Sequence, residues 1–180
     1  VFVFGAFCRL AFRRRWTYRG TPVPFVHKYK YLGIWMTEDL KWDTHLEYVL
    51  KKAGNRSRSL TQLLTQKRLP PNIKLLVWLG QVRPLLEYGA EVWQADKKFT
   101  RRMESLQTQA GVIALGLNRH AKRNAVRVLM RCPSLQARWD IKRLKYAAKL
   151  LSMREERMLR RLTSTGGQQR PRSLSKTRRH

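Results

Sequence analysis

The sequence predicts an α+β fold that is mostly α, with a small N-terminal antiparallel sheet, a bundle of about five helices and a basic C-terminal tail. Aromatic and β-branched residues, which suit strands, are frequent in the first part of the chain. From Thr44 onward apolar residues recur with the period of an amphipathic helix. We therefore predict a β region over residues 1–42, a helical domain over 43–162 and a tail over 163–180.

The first strands are predicted from an apolar stretch and a hairpin pattern. Residues 1–12 are apolar and aromatic, so we interpret at least their start as a strand, although their second half also suits a helical turn. Residues 16–19 and 23–26 flank a Gly-Thr-Pro turn and suit a hairpin. Pro24 places the second arm at a sheet edge, because proline has no N–H to donate to a neighbouring strand.

Residues 29–36 are predicted to form a short buried strand that completes one small sheet with the hairpin. Gly33 in their middle marks a bulge, or a place where another backbone or a ligand comes close. Thr37-Glu38-Asp39 supplies a polar turn. Thr44 and Glu47 then have the spacing of a capping box, which predicts the start of the first helix.

The first two helices are predicted from their apolar positions. One stripe of the first helix is apolar and consists of Leu46, Val49, Leu50, Ala53, Leu60, Leu63 and Leu64. Pro70 ends this helix, and Pro71 suits the first turn of the second helix. The second helix is apolar nearly all round, which favours a buried central position, and Pro84 should kink it.

Three further helices are predicted before the tail. Apolar residues from Phe99 to Leu117 alternate steps of four and three, and Gly116 suits a left-handed cap at the end of that helix. A short helix covers roughly residues 122–130. Residues 132–134 then start a last long helix that is expected to run to about Leu162.

The charge of the chain indicates a polyanionic partner. Lys and Arg number 39 against 11 Asp and Glu, which gives a net charge of +28 and a pI near 11.5. Because this charge repels itself in a compact monomer, we expect nucleic acid as the partner, with an anionic membrane surface as the alternative. The apolar content of 43% excludes a chain that is disordered throughout. No apolar run approaches the roughly 20 residues of a membrane-spanning helix.

Candidate RNA-binding residues fall before the sheet, on the basic stripe of the first helix and in the C-terminal part of the chain. They are Arg13, Arg14, Arg15, Lys51, Lys52, Arg56, Arg58, Arg154, Arg157, Arg160, Arg161, Arg170, Arg172, Lys176, Arg178 and Arg179. A solvated surface is the ordinary interpretation of a charge run, but few acidic residues are interspersed here. Trp16 and Tyr18 could also touch RNA.

Other reactive residue types have structural interpretations. His45 has no second His or Cys nearby and is interpreted as a packing residue, with a phosphate contact as the alternative. Cys8 and Cys132 are far apart and are interpreted as buried thiols in a reducing compartment; a disulfide is possible but unsupported. The residues offer no tetrahedral metal site, so we expect neither a metal nor a cofactor. Trp35, Trp42, Trp78 and Trp93 are interpreted as core residues rather than as a stacking platform for bases.

Several motifs occur together in an order known from one family. They are Tyr29-Lys30-Tyr31-Leu32-Gly33-Ile34, then Leu40, Trp42 and His45, then Arg83-Pro84-Leu85-Leu86-Glu87-Tyr88-Gly89-Ala90-Glu91-Val92-Trp93, then Leu106-Gln107, Ile113-Ala114-Leu115-Gly116, and Ala125 through Pro133-Ser134-Leu135. In their order and spacing over most of the chain, they resemble reverse transcriptases of non-LTR (LINE-type) retrotransposons.

The resemblance implies a position within the polymerase. Residues 1–7 would be the palm strand after the catalytic aspartates, residues 29–35 the last palm strand, and the helices from Thr44 a thumb-like domain that grips duplex backbone. The chain departs from the family because it has no Asp-Asp pair, and phosphoryl transfer needs clustered carboxylates that hold two Mg²⁺ ions. The scattered residues Asp39, Asp43, Asp96 and Asp140 suit helix caps and turns. We therefore expect no catalytic residues, and a chain that is not an enzyme by itself.

These observations favour a non-catalytic, structural RNA-binding protein. We expect it to be a lineage-specific component of a mitochondrial ribosome, derived from a reverse-transcriptase fragment, with ribosomal RNA and neighbouring ribosomal proteins as partners. The alternative is the C-terminal part or a subunit of an active non-LTR reverse transcriptase. A third interpretation is a maturase-like or telomere-related RNA chaperone.

Overall fold

A computed structural model describes residues 17–24 and 26–153 of the chain. Two short hairpins come first, and helices make up the rest of the described part. The α+β class with mostly helical content is therefore confirmed. The predicted N-terminal strand, Cys8, Trp16 and the basic tail lie outside the described residues.

The described strands form two separate antiparallel hairpins instead of one small sheet. In the first, β1 (Thr17–Tyr18) pairs with β2 (Thr21–Pro22). In the second, β3 (Lys28–Tyr31) pairs with β4 (Ile34–Thr37), so that Tyr31 lies opposite Ile34 and Lys28 opposite Thr37. The prediction of a single sheet with three arms was wrong.

The segment predicted as one buried strand over residues 29–36 reverses direction at its centre. Leu32 and Gly33 take φ values of 46° and 84°, which is the two-residue turn that matches the twist of a hairpin. As a result β3 is an exposed edge strand, and β4 is the arm that packs against the first helix. Gly33 is approached closely by a side chain rather than by a backbone or a ligand, because a Cβ there would lie 3.3 Å from the Tyr88 ring.

Helix α1 (Asp43–Ser59) starts without the predicted capping box. The N–H of Leu46 already bonds to the Trp42 carbonyl oxygen at 2.9 Å, so Thr44 lies inside the first turn and its hydroxyl cannot act as the N-cap. The preceding polar turn is confirmed: the Thr37 hydroxyl lies 2.6 Å from Asp39 Oδ1 and 3.0 Å from the Lys41 carbonyl oxygen.

The apolar stripe of the first helix is confirmed, although the helix is divided. Leu60 ends α1, and the five-residue helix α2 (Thr61–Thr65) follows directly. The members of the stripe that are buried in the core are Leu46, Val49, Ala53, Leu60 and Leu64.

Two proline predictions had different outcomes. Pro71 is the first residue of α3 (Pro71–Gln81), as predicted. Pro84 does not kink one continuous helix: α3 ends, and Pro84 lies in the first turn of a new short helix, α4 (Arg83–Glu87). A proline in the first turn of a helix lacks only an N–H that would have no helical partner. A new helix can therefore begin at Arg83 with little loss of stability.

The second helix is less buried than its composition suggested. Leu75 and Trp78 lie in the core, whereas Leu76 is 66% exposed and Ile73 is 40% exposed. The central position belongs to the third predicted helix, α5 (Lys97–Leu115). This helix packs against α1, α2, α3 and the two helices that follow it.

Both caps of α5 agree with the sequence. Asp96 Oδ1 accepts a hydrogen bond from the N–H of Phe99 at 2.7 Å, which satisfies a donor that the helix start leaves open. Gly116 takes the left-handed conformation at the other end, with φ of 66°. The expected cap role of Asp96 and Gly116 is therefore confirmed.

The last described helices are α6 (Arg123–Leu129) and α7 (Leu135–Leu151). Ser134 caps α7, since its hydroxyl accepts from the N–H of Ala137 at 3.2 Å. The predicted end near Leu162 was wrong, because α7 stops at Leu151 and Ser152 follows as its C-cap. Apolar residues such as Leu144 and Leu151 on the second half of α7 remain exposed, so periodicity alone overestimated the helix.

Tryptophan side chains form the centre of the core, as predicted for Trp78 and Trp93. Trp93 meets Trp139 edge to face with ring centroids 5.2 Å apart. Each buried indole N–H has a partner: Trp78 bonds to Ser57 Oγ at 3.0 Å, Trp93 to the Tyr88 carbonyl oxygen, and Trp139 to the Leu86 carbonyl oxygen. Trp35 and Trp42 are half-buried beside the hairpin and α1.

His45 is a buried structural residue, in agreement with the favoured interpretation. Its Nδ1 accepts the N–H of Trp35 at 3.3 Å, which joins β4 to α1. The ring proton therefore belongs on Nε2, which is buried without a hydrogen-bond partner among the described residues. Because burial disfavours the imidazolium, it lowers the pKa of His45 from 6.5 to about 4.

Glu87 joins α4 to α7 through the densest group of ion pairs in the described part. The Arg138 guanidinium donates two hydrogen bonds to the Glu87 carboxylate, from Nε and from Nη2. Lys142 Nζ lies 3.5 Å and Arg83 Nε 3.7 Å from the same carboxylate. Burial alone would raise the pKa of Glu87, but the Arg138 hydrogen bond and the three positive charges outweigh it and hold the pKa below its ordinary value.

We predict that Glu87→Gln lowers the free energy of unfolding by about 3 kcal/mol, because it leaves three cations facing one another without their anion. Urea unfolding at neutral pH measures this loss. Glu47→Gln is the matched control, since Glu47 is exposed and makes no described ion pair; it should change stability by less than about 0.5 kcal/mol. Equal losses in the two variants would contradict the role of Glu87.

We also predict that acid destabilises the fold through His45. The folded pKa is lower than the unfolded one, so stability is complete above about pH 6.5 and falls as the pH decreases toward 4. The loss should be on the order of 3 kcal/mol across this window. Urea unfolding at a series of pH values gives the profile, and His45→Gln should flatten it between pH 6.5 and 4.5. The same slope in wild type and variant would show that another group is responsible.

Candidate nucleic-acid interface

The four predicted RNA-binding residues that the structure describes are all exposed on α1: Lys51, Lys52, Arg56 and Arg58. In this part of the chain no carboxylate lies within ion-pair distance of any of them. Arg58 Nη2 donates to Asn55 Oδ1 at 3.1 Å, which keeps the guanidinium along the helix. Their charges are therefore available to an external anion.

Lys51 and Arg58 face a groove of about 570 Å³ between α1 and α5. Arg102 of α5 lies on the opposite wall and adds a third cation. Glu47 is the acidic member of the lining. The remaining lining residues are Leu50, Gly54, Ser105, Leu106 and Gln109.

A second groove of about 510 Å³ adjoins the first on α5, because Ser105 and Gln109 line both. Arg119 and Arg123 lie in the second groove, which also contains the Thr108 side chain. From Arg102 to Ile113 the helix rises about 17 Å. We call this surface the α1–α5 track, defined by Lys51, Arg58, Arg102, Ser105, Gln109, Arg119 and Arg123.

The track has the chemistry of a phosphate-backbone contact. Cationic side chains are interspersed with hydroxyl and amide groups, and these are the side chains that most often bind phosphate and sugar oxygens. Side chains that read base sequence in a duplex enter the grooves of the nucleic acid and bind the base edges in a paired geometry. The track is instead an open concave surface of the protein. Binding through such a surface would be independent of base sequence.

Acidic residues are used elsewhere, within the described fold. Besides the group at Glu87, Glu104 pairs with Arg127 at 3.6 Å, Asp140 with Arg143 at 3.0 Å and Asp39 with Lys41 at 3.3 Å. These pairs neutralise cations that support the fold and leave the track with little compensation. Its positive potential therefore follows from where the few carboxylates are placed.

Asp39, Asp43 and Asp96 have the positions expected of turn and helix-start residues, whereas the prediction was wrong for Asp140. Asp39 accepts the N–H of Lys41 in its turn, and Asp96 caps α5. Asp43 is the first residue of α1, while Asp140 lies inside α7. Over residues 17–24 and 26–153, no three His, Cys, Asp or Glu side chains are grouped closely enough to hold a metal ion. Cys132 is a buried thiol, as predicted.

The other predicted RNA-binding residues lie outside the described residues, and their roles stay predictions: Arg13, Arg14, Arg15, Arg154, Arg157, Arg160, Arg161, Arg170, Arg172, Lys176, Arg178 and Arg179. Tyr18 is described and 66% exposed, with the Arg19 guanidinium 5.5 Å from its ring centre. No helix in the described ranges has the length and apolarity needed to cross a bilayer.

Sequence reasoning missed Arg102, Arg119 and Arg123. The available signal for Arg102 was its position on the polar side of the α5 pattern, next to the buried Met103. Arg119 lies in the loop between α5 and α6, and Arg123 is the first residue of the short helix α6, where no periodicity indicates a direction. Which helix lies opposite α1 is a tertiary fact that single-helix patterns do not contain.

Comparison with known proteins gives one distant similarity. No family model matches the chain, and no solved structure matches it. The chain is 27% identical over 145 residues to a 115 kDa protein of the type-1 retrotransposable element R1DM of Drosophila melanogaster. The match covers 77% of this chain but only 14% of the relative. The chain is thus distantly similar to a short part of a non-LTR retrotransposon protein.

Proposed function

We propose that this chain is a non-catalytic nucleic-acid-binding module that holds the sugar-phosphate backbone of RNA along the α1–α5 track. The observation that carries the proposal is the pair of adjoining grooves, one lined by Lys51, Arg58 and Arg102 and the other by Arg119 and Arg123. Sequence-distant residues from three helices and a loop form this cationic surface. The net charge of +28 supplies the long-range attraction to a polyanion.

The shape of the surface supports a backbone grip. The walls of the first groove are the helices α1 and α5, which pack directly against each other, so the backbone positions of Lys51, Arg58 and Arg102 are set without a partner. Preformed positions reduce the ordering cost of binding. Ser105, Thr108 and Gln109 lie between the cations and offer donors to phosphate and sugar oxygens.

The similarity to the R1 element protein supports a polymerase-related origin. In this proposal the β3–β4 hairpin corresponds to the end of the palm and the helices from α1 onward to the thumb of a non-LTR reverse transcriptase. Gripping duplex backbone is the task that the resemblance gives to such a thumb. Because the sequence has no Asp-Asp pair, any nucleotide transfer would need carboxylates from another segment or subunit.

The setting that we propose is a retrotransposon ribonucleoprotein. The similarity to a retroelement protein extends over most of the chain. This favours the alternative interpretation of the sequence, the C-terminal part or a subunit of a non-LTR reverse transcriptase. A role in a mitochondrial ribosome, with ribosomal RNA and ribosomal proteins as partners, stays a prediction. The two settings share the same backbone-directed binding.

We predict that a triple variant, Lys51→Gln, Arg58→Gln and Arg102→Gln, reduces the slope of log K against log salt by about 3, since each lost phosphate contact removes about one unit. The slope is measured by titrating labelled RNA duplex at several salt concentrations, with base sequence varied to show that it has little effect.

The matched control is Lys67→Gln, Arg68→Gln and Arg131→Gln, which removes the same charges from exposed positions off the track. It should change the slope by less than one unit. If the control lost as much as the track variant, general charge rather than the grooves would account for binding.

A further inference from the structure

A partly enclosed chamber of about 340 Å³ lies between the β3–β4 hairpin, α1 and α4. Val49, Pro84 and Leu85 contribute apolar surface to it. Tyr48 and Tyr88 contribute aromatic rings from two different elements. A volume near the lower end of the roughly 300–1,000 Å³ range of ligand sites suits one small flat group.

Cations line the chamber together with its aromatic rings. Lys30 Nζ donates to Tyr48 Oη at 3.1 Å and lies 4.6 Å from the centre of the Tyr48 ring. Lys52 contributes a second exposed ammonium group. No lining residue of the chamber is acidic. An apolar, aromatic chamber with ammonium groups in its wall is complementary to an aromatic ligand that carries negative charge.

The Tyr88 ring is held in place before any ligand arrives. Its hydroxyl donates to the Leu32 carbonyl oxygen at 2.6 Å, across the turn of the hairpin. Gly33 permits this approach, since a Cβ at that position would lie 3.3 Å from the ring. Although Tyr88 is 53% exposed, its position is therefore fixed at both ends, by the hairpin and by α4.

The chamber is connected to the basic face of α1. Lys52 and Leu85 also line a neighbouring groove of about 520 Å³, which contains Arg56 and Asn55. This groove lies on the side of α1 away from Lys51 and Arg58, so α1 separates it from the α1–α5 track. A nucleic-acid strand that lies along Arg56 and Lys52 would therefore reach the chamber.

We propose that the chamber binds one unpaired nucleobase of a nucleic acid, stacked on the tyrosine rings, with its flanking phosphates at Lys30 and Lys52. The proposal rests on the proposed function and specifies its ligand as a duplex with an unpaired end or bulge. A base provides the flat π surface that aromatic side chains stack on, and its phosphates match the ammonium groups. The chamber is too small to admit a base pair, which gives selectivity for an unpaired nucleotide.

The test compares three short RNA duplexes: blunt, with a one-nucleotide 3′ overhang that ends in a 3′ phosphate, and with an abasic overhang that ends in the same way. The wild-type protein should bind the overhang duplex about tenfold more tightly than the blunt one, because stacking on aromatic side chains contributes that much per base. The abasic duplex should bind like the blunt one. A DNA overhang on the same duplex then shows whether the sugar matters.

Leu85→Trp should abolish the preference for the overhang, since the indole fills the chamber, while the blunt duplex still binds through the α1–α5 track. Leu76→Trp is the matched control on the exposed side of α3 and should keep the preference. Tyr88→Leu, which removes one ring without filling the space, should reduce it. Circular dichroism confirms that each variant is folded.

Equal binding of the blunt and overhang duplexes by wild type would overturn the nucleobase proposal while leaving the track intact. An abasic overhang as effective as the normal one would overturn it too, since only the extra phosphate would then be recognised. Weak, salt-insensitive binding of all three duplexes would instead contradict the proposed function. These results distinguish failure of the chamber from failure of the module.

Discussion

The carboxylate of Glu87 and its three cationic partners connect α4 with α7. Arg138 and Lys142 of α7 bind the carboxylate of Glu87 in α4. Residues of α7 also donate hydrogen bonds to main-chain carbonyl oxygens of α4, from Trp139 to Leu86 and from Lys142 to Glu87. This holds the Tyr88 segment in position, and Tyr88 in turn anchors the hairpin turn. A buried ion group is seldom the largest source of stability, but breaking one is costly because the remaining charges stay unpaired.

The small number of acidic residues also explains the positive charge of the surface. With 11 carboxylates against 39 basic residues, each internal ion pair leaves fewer anions for the exterior. The described ion pairs include contacts at α4, α6, α7 and the connection between β4 and α1, whereas no ion pair is described on α1. The α1–α5 track is therefore positive because most of the described carboxylates in ion pairs lie elsewhere. Repulsion among its cations disfavours the isolated protein and favours a polyanionic ligand.

Local patterns predicted the elements that local physics controls. The stripe on α1, the cap at Asp96 and the left-handed Gly116 follow from helical period and backbone preference, and all are confirmed. The failures depend on tertiary context. Gly33 looked like a bulge in one strand, but the Tyr88 ring fits against it in a hairpin turn. The end of α7 was misplaced, and Leu144 and Leu151 in its second half are exposed. The convergence of Arg102 with Lys51 depends on helix packing, which no single segment encodes.

The central claim is that α1 and α5 together hold nucleic-acid backbone. Covalent labelling of lysine and arginine side chains, read by mass spectrometry with and without bound RNA duplex, tests it most directly. The account predicts that RNA protects Lys51, Arg58, Arg102, Arg119 and Arg123, while Lys67 and Arg68 on the α2–α3 connection keep their reactivity. Uniform protection of all basic residues, or protection confined to the chain outside residues 17–153, would contradict it.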